Sequence, residues 1–155
     1  MTQVTCDAIK KSTLGGELGD DECRVLANVM TVLELADGEV LVSHGEKDTT
    51  LFLLVSGGLA VIDENKIIYR MKLGEIAGTR AFVDRQPRKA TLQAIGDTVV
   101  YGMQPDAFEA LIDTHPRVVF KVMRALFCIT HTNLMRMNTE SSHLTNYITR
   151  GGGRR

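Results

Sequence analysis

Short apolar runs, each closed by residues that favour turns, restrict the fold of this chain more than any other feature. The runs are too short for helices and lie at residues 40–42, 51–55, 59–62, 67–71, 90–95 and 99–103. Between them stand Asp37-Gly38, His44-Gly45-Glu46, Ser56-Gly57-Gly58, Asp63-Glu64-Asn65 and Gly96-Asp97. This spacing predicts short antiparallel strands joined by tight turns, as in a β-sandwich or barrel.

Helical patterns lie on both sides of the predicted strands. A helix is predicted over residues 22–32, because its apolar residues fall on one face and Asp20 or Asp21 can cap it. After the strands, a helix is predicted over residues 107–112, because Pro105 suits an early helical position. The strands are therefore expected to form a mainly β domain with flanking helices.

A long helix is predicted from Pro116 to about Asn138. It completes a domain that we place at residues 20–138. Residues 1–19 are interpreted as a lead-in segment. The glycine- and arginine-rich end of the chain makes residues 139–155 an extension that we expect to be partly disordered.

This long helix carries two apolar stripes side by side. One stripe holds Val119, Val122, Leu126 and Ile129. The other stripe holds Phe120, Met123, Phe127 and Leu134. Packing on a single sheet uses one stripe, so the second favours a symmetric homodimer in which the helix packs on its own copy. The alternative is a helix sunk deeply in its own domain.

The composition fits one soluble domain. The chain has 155 residues, with 18 basic and 19 acidic side chains, so no overall positive field favours nucleic-acid binding. Three cysteines without a CxxC pair, and no signal-peptide pattern, indicate a reducing compartment. No apolar run approaches the ~18 residues that span a bilayer. We therefore expect a cytoplasmic protein.

Residues 78–91, between two predicted strands, are too long and too varied for a turn. They include Phe82, which is apolar enough to be buried, and the step Pro87-Arg88. Loops on β scaffolds are where binding groups usually lie. We therefore predict a ligand site in this segment.

This segment and the residues before it resemble the cyclic nucleotide-binding domain, which is found in the catabolite activator protein and in protein kinase A regulatory subunits. The resemblance covers roughly residues 20–134. It is carried by the Ala-Asp-Gly-Glu-Val-Leu sequence at residues 36–41, by Gly45, by the strand and turn at residues 51–57, by Gly-Glu at residues 74–75 and by Pro-Arg-Lys-Ala-Thr at residues 87–91. It implies an eight-stranded antiparallel β-roll of jelly-roll type, with an N-terminal helix and a long C-terminal helix.

The family's phosphate-binding cassette begins Gly-Glu-x-Ala and ends Pro-Arg-x-Ala-Thr or Pro-Arg-x-Ala-Ser. Two alignments are possible here. If Glu75 is the cassette glutamate, an insertion must precede Arg88; if Gly78 opens the cassette, Arg88 follows Thr79 by nine residues, the family's commonest spacing. We adopt the second alignment, which puts Thr79 where the family has the glutamate that accepts the ribose 2′-hydroxyl.

The resemblance assigns the phosphate to Arg88, to the Thr91 hydroxyl and to the backbone N–H groups of Arg80 and Ala81. By chain distance from Arg88, the base is expected near Asn133, whose amide could instead fix the register of a dimer seam. The predicted ligand-binding residues are Gly78, Thr79, Arg80, Ala81, Arg88, Lys89, Ala90, Thr91 and Asn133.

Arg80, Arg85, Arg88 and Lys89 form a basic cluster in a slightly acidic chain. One interpretation is a ligand with more negative charge, such as a cyclic dinucleotide, or an acidic group of a partner protein. The other is that Arg80 and Arg85 are solvated or pair with carboxylates such as Glu75 and Asp84.

Catalysis is not indicated, because no nucleophile has a neighbouring base and no HxH motif is present. Cys128 and His131 have metal-ligand spacing, but no further ligands are evident, so we expect no metal or cofactor. The residues after Asn138 are too few for a helix-turn-helix, so DNA binding by that route is not expected.

The sequence therefore predicts a stand-alone, non-catalytic regulatory module that senses cyclic AMP, cyclic GMP or a cyclic dinucleotide and acts through a dimer or a separate effector protein. The alternative is a degenerate domain that has lost nucleotide binding and serves as a protein-interaction scaffold.

Overall fold

The computed structural model describes residues 3–151, with side chains described for residues 3–135. Its centre is one antiparallel sheet of six strands in the order β1-β6-β3-β4, with β2 also paired to β6 and β5 to β3. The strands are β1 (Met30–Leu35), β2 (Val40–Val42), β3 (Leu51–Asp63), β4 (Lys66–Arg70), β5 (Ile76–Ala77) and β6 (Thr91–Met103). The predicted mainly β fold with flanking helices is confirmed.

The described residues form six strands rather than the eight expected, because β3 and β6 are each continuous over 13 residues. The predicted turn at Ser56-Gly57-Gly58 is instead an irregularity in the β3–β6 ladder, with register shifts on either side of Ser56. Gly57 has φ of 80°, and a Cβ there would lie 2.3 Å from the carbonyl oxygen of Asp97. Glycine thus lets the two strands remain paired where a larger residue would force them apart.

The helices are α1 (Cys6–Lys11), α2 (Asp20–Ala27), α3 (Thr79–Asp84), α4 (Pro105–Glu109) and α5 (Pro116–Gly151), with a 3-10 turn at Ala110–Ile112. The prediction of one helix over residues 22–32 is wrong in its second half. From Met30 onward the chain forms β1, whose six residues all pair with β6. Sheet pairing has overridden a helical spacing that continued through Val29 and Met30.

α5 continues past the predicted end at Asn138 as far as Gly151. Side chains after Met135 lie outside the described residues, as does the backbone of residues 152–155. Partial disorder of residues 139–155 therefore stays a prediction.

Strand β3 separates two apolar cores. Leu51 and Leu53 face a core shared with the helices, whereas Phe52 and Leu54 face a second core inside the roll. Side chains alternate across a strand, so four consecutive apolar residues supply both layers. Each is nearly fully buried, and burial of such a side chain contributes about 1.5–3 kcal/mol.

Helix α5 packs on the helix-side core through the stripe that holds Val118, Val122 and Leu126. Two ion pairs fix it to the N-terminal part of the chain: Lys121 to Glu22 at 2.7 Å, and Arg124 to Glu17 at 2.9 Å. The stretch Pro116–Met135 is also long and apolar enough to cross a membrane, by length and composition only. Uninterrupted apolar runs alone predict no such stretch.

Two of the three cysteines, Cys23 and Cys128, should differ sharply in reactivity. Cys23 is buried in the helix-side core, and burial raises the pKa of its thiol to about 12, whereas Cys128 is exposed on α5. At about pH 8, where an ordinary thiol is partly ionised, a maleimide should label Cys128 rapidly. Cys23 should be labelled only after unfolding in urea, as measured by mass spectrometry.

Cys128→Ser is the matched control and should abolish the rapid labelling. Rapid labelling of Cys23 in the native protein would contradict its burial in the helix-side core.

Candidate ligand-binding site

The segment between β5 and β6 is a folded loop built around α3. Gly78 precedes α3 with φ of 91°, a left-handed conformation that glycine adopts without strain. The Phe82 N–H donates to the Gly78 carbonyl at 2.9 Å, which closes the first helical turn. Phe82 is buried and packs on Phe108, with ring centroids 5.5 Å apart. The loop is therefore anchored in the core, as the sequence predicted for Phe82.

Arg88 is the most unusual side chain of this loop, because it is charged and only 5% exposed. Its Nη2 group donates to the Thr50 carbonyl and, at 3.0 Å, to Asp48 Oδ1. Its guanidinium carbon lies 5.0 Å from the centroid of the Phe52 ring, within cation–π range. The guanidinium is thus held by one charge, one carbonyl and one aromatic face.

Two Arg88 donors, Nε and Nη1, are buried and have no acceptor among the described residues. A buried donor without an acceptor costs about 1–3 kcal/mol. Gly78 makes room for this arrangement, since a Cβ at that position would lie 2.1 Å from Nη1. Arg88 therefore presents two buried donor atoms for which the described residues supply no acceptor.

Backbone hydrogen bonds fix the other side of the loop to the turn that follows β2. The Arg88 N–H donates to the Glu46 carbonyl at 2.8 Å, and the Gly45 N–H donates to the Arg88 carbonyl at 2.7 Å. The Thr91 hydroxyl oxygen accepts from the His44 N–H at 3.0 Å. Position 88 is thus held at both its backbone and its side chain.

A cavity of about 750 Å³ opens over α3 and Arg88. Most of the predicted site residues line it, including residues far apart in the chain: Gly78, Thr79, Arg80, Ala81, Arg88, Lys89, Ala90 and Asn133. Thr91 is not among the lining residues. The structure therefore brings the loop around α3 and helix α5 together at one cavity, and Thr91 holds the neighbouring turn.

Several residues of the cavity were not predicted from the sequence. Cys128, Ile129 and Thr132 line it from α5, together with Thr13, Tyr69 and Glu75 from elsewhere in the chain. The Tyr69 hydroxyl lies 2.8 and 2.9 Å from the two Glu75 carboxylate oxygens, and the Lys72 N–H donates to Glu75 at 2.8 Å. Residue spacing carries no signal for these contacts, because they depend on how β4 folds back over the loop.

The basic cluster divides into two parts. Arg80 and Lys89 line the cavity, whereas Arg85 lies outside it and binds Asp106 and Glu109, each at 2.8 Å. Ion pairing of Arg85 was one of the two interpretations, but its partners are not the carboxylates that were named for it. Glu75 binds Tyr69 instead.

The Cys128–His131 pair shows no sign of a metal centre. The His131 ring stacks on Phe127, with centroids 5.9 Å apart. Within the part of the chain that the structure describes, no group of three or more His, Cys, Asp or Glu side chains is arranged to hold a metal ion.

The family model of the cyclic nucleotide-binding domain matches residues 32–115, more than half of the chain. The chain therefore belongs to the cyclic nucleotide-binding domain family, as its resemblance predicted. The matched residues include the whole segment from Gly78 to Thr91 and the Asp48 that binds Arg88.

Relatives and solved structures agree with this assignment. A cGMP-dependent protein kinase of Eimeria tenella is 30% identical over 104 residues, which are 67% of this chain and 10% of the kinase. A cyclic nucleotide-binding domain from Methylobacillus flagellatus has a TM-score of 0.76 at 23% identity, covering 84% of this chain and 76% of that one. The Thermus thermophilus catabolite activator protein has a TM-score of 0.75 at 20% identity, covering 86% and 63%. The structural likenesses establish the β-roll fold.

Asp48 should stabilise the fold through its contact with Arg88. Burial alone would raise the pKa of Asp48, but hydrogen bonds from Thr50 and Arg88 outweigh it and lower that pKa. Asp48→Asn should therefore reduce the free energy of unfolding at neutral pH, by about 1–3 kcal/mol. This is less than for a fully buried pair, since 29% of the Asp48 side chain is exposed.

The pH dependence of this loss has a definite sign. Because the folded-state pKa is depressed, the carboxylate's contribution is complete above the unfolded pKa of ~3.9 and is lost as the pH falls through the lower folded value. Urea unfolding of the two proteins should differ most near neutral pH and converge below about pH 4. The exposed-site control Asp113→Asn should show no such convergence, and a constant gap for Asp48→Asn would contradict the prediction.

Proposed function

We propose that this protein is a non-catalytic regulatory module that binds a cyclic nucleotide in the cavity over α3. The candidate ligands are cyclic AMP, cyclic GMP and a cyclic dinucleotide. The observation that carries the proposal is the pair of unpaired, buried Arg88 donors at the base of the cavity. A phosphodiester supplies the acceptor oxygens and the negative charge that these donors lack.

The rest of the cavity suits a nucleotide. The first N–H groups of α3, at Thr79, Arg80 and Ala81, have no acceptor within the helix and lie beside Arg88. A second wall is α5, whose Thr132 and Asn133 carry polar groups of the kind that a base can bond. A ligand that contacts both walls favours one position of α5 over others, and binding can thereby change what α5 presents.

Thr79 should make ribose binding weaker than in typical family members. A hydrogen bond to a charged acceptor contributes about 1.5–3 kcal/mol, so its replacement by a hydroxyl corresponds to about tenfold to a hundredfold in affinity. This substitution favours a second candidate function, a protein-interaction scaffold that no longer binds a nucleotide. The two functions differ in whether the cavity is used.

The signal is proposed to leave the domain through α5, either in a homodimer or to a separate effector protein in the cytoplasm. Phe120 is 63% exposed and Phe127 is 71% exposed, and Leu134 continues the same seven-residue spacing. Such spacing is typical of helices that pack along one another. The exposure of this stripe supports packing on a second copy, and it does not fit a helix sunk deeply in its own domain.

Binding should depend on Arg88 and not on the neighbouring Arg85. Isothermal titration calorimetry with cyclic AMP, cyclic GMP and cyclic di-GMP should give heat with at least one of them for the wild-type protein. Arg88→Gln removes the buried donors and should weaken that binding by at least about a hundredfold. Arg85→Gln, in the same loop but outside the cavity, should leave it within about threefold.

Ligand should also slow maleimide labelling of Cys128, which lines the cavity. Circular dichroism and the unfolding midpoint test whether Arg88→Gln still folds. Absence of heat and of Cys128 protection with every nucleotide would reject the sensor and leave the scaffold.

The exposed stripe of α5 should hold the dimer together. Phe127→Lys places a charge in the stripe and should convert a dimer to a monomer, as measured by light scattering after size-exclusion chromatography. Ile112→Lys alters a side chain that is 51% exposed on the 3-10 turn, outside the α5 stripe, and should leave the mass unchanged. A wild-type monomer at all concentrations would reject the homodimer.

A further inference from the structure

We propose that the cavity is built for a nucleotide with two phosphate groups, of which Arg88 binds one and Arg80 and Lys89 bind the other. A cyclic dinucleotide is the ligand class with this chemistry that we infer. The inference rests on the proposed function, because it names the ligand of the same cavity.

The cavity offers more cationic donors than one phosphate can use. Arg88, whose charge Asp48 offsets, lines it together with Arg80, Lys89 and one carboxylate, Glu75. That carboxylate is already engaged by the Tyr69 hydroxyl and the Lys72 N–H. A cyclic mononucleotide carries a single negative charge, which the two open donors of Arg88 can satisfy. Two cations remain for a second anionic group.

Arg80 and Lys89 are also available to a ligand. Within the described residues, neither forms a hydrogen bond or ion pair, and both are exposed. Arg85, from the same loop, has a structural role instead, because it forms ion pairs with Asp106 and Glu109. Exposed single charges usually contribute little to stability. These two, however, lie one residue after Thr79 and Arg88 and line the cavity that holds the unpaired donors.

Thr79 is consistent with a second phosphate, because it lines the cavity beside Arg80 as a neutral hydroxyl. A carboxylate at this position would repel a second anion and would compensate Arg80. The size of the cavity agrees as well, since about 750 Å³ lies in the upper part of the usual range of about 300–1,000 Å³ for small-molecule sites.

The test compares cyclic AMP and cyclic GMP with cyclic di-AMP and cyclic di-GMP by calorimetry. We expect a cyclic dinucleotide to bind the wild-type protein at least about tenfold more tightly than either mononucleotide. The double variant Arg80→Gln/Lys89→Gln should lose about tenfold or more for the dinucleotide. It should weaken mononucleotide binding by a smaller factor than dinucleotide binding, because Arg88 alone engages a single phosphate. A nucleoside bisphosphate serves as a further probe and shows whether two phosphates suffice without the ring.

Two further variants make the test selective. Lys66→Gln/Arg70→Gln removes the same charges from exposed positions on β4 that do not line the cavity, and it should leave both affinities unchanged. Thr79→Glu adds a negative charge inside the cavity. It should weaken dinucleotide binding and strengthen mononucleotide binding, a pair of opposite shifts that partial misfolding would not produce.

Each unfavourable result has a separate meaning. Mononucleotide binding that is as tight as dinucleotide binding, or a cavity double variant that behaves like the β4 control, overturns this inference and leaves the proposed function standing. No binding of any nucleotide, with every variant folded by circular dichroism, overturns the proposed function and this inference with it.

Discussion

A buried guanidinium organises the ligand-binding half of this domain. Arg88 can remain charged away from water because Asp48, the Thr50 carbonyl and the Phe52 ring surround it. These partners lie in or just before β3, so the cation fastens the cassette to the central strand of the sheet. A side chain at position 78 would collide with this guanidinium, so glycine is required there. Gly78 and Arg88 both line the cavity.

The described residues of α5 fall into three groups with different surroundings. Val118, Val122 and Leu126 are buried in the core, and Phe120 and Phe127 face outward. A third set of residues lines the cavity: Cys128, Ile129, Thr132 and Asn133. The ion pairs to Glu17 and Glu22 hold its first half to the N-terminal part of the chain. The cavity-lining residues follow those anchors in the chain, so a ligand in the cavity would contact the segment of α5 that comes after the ion-paired one.

The fold could be predicted well from the sequence, and the site only in part. Apolar runs and turn residues are local signals, and they identified β2, β3, β4 and β6 but not β1 or β5. The glycines at positions 57 and 58 permit a bulge as readily as a turn. The helix over residues 22–32 failed at Met30 because helical and strand spacings coincide over a few apolar residues. The cassette could be found because its residues are contiguous.

The contacts that complete the site join residues that are remote in sequence. Asp48 lies 40 positions before Arg88, and no pattern around Asp48 distinguishes it from a turn residue. The pairing of Arg85 with Asp106 and Glu109 is likewise visible only once α3 and α4 are packed together. Contacts of this kind can be identified only from the three-dimensional structure.

The pairing of β3 with β6 has a consequence for how this domain can diverge. Ala77 pairs with Phe52 and Thr91 pairs with Ile62, so residues 78–90 form a single excursion that leaves the sheet and returns to it. The entropy of closing such an excursion grows slowly with its length, which makes insertions and exchanges within it inexpensive to the remaining scaffold. Apart from Phe82 and Arg88, which anchor it, this excursion can thus vary in sequence and length while the strand ladder is preserved.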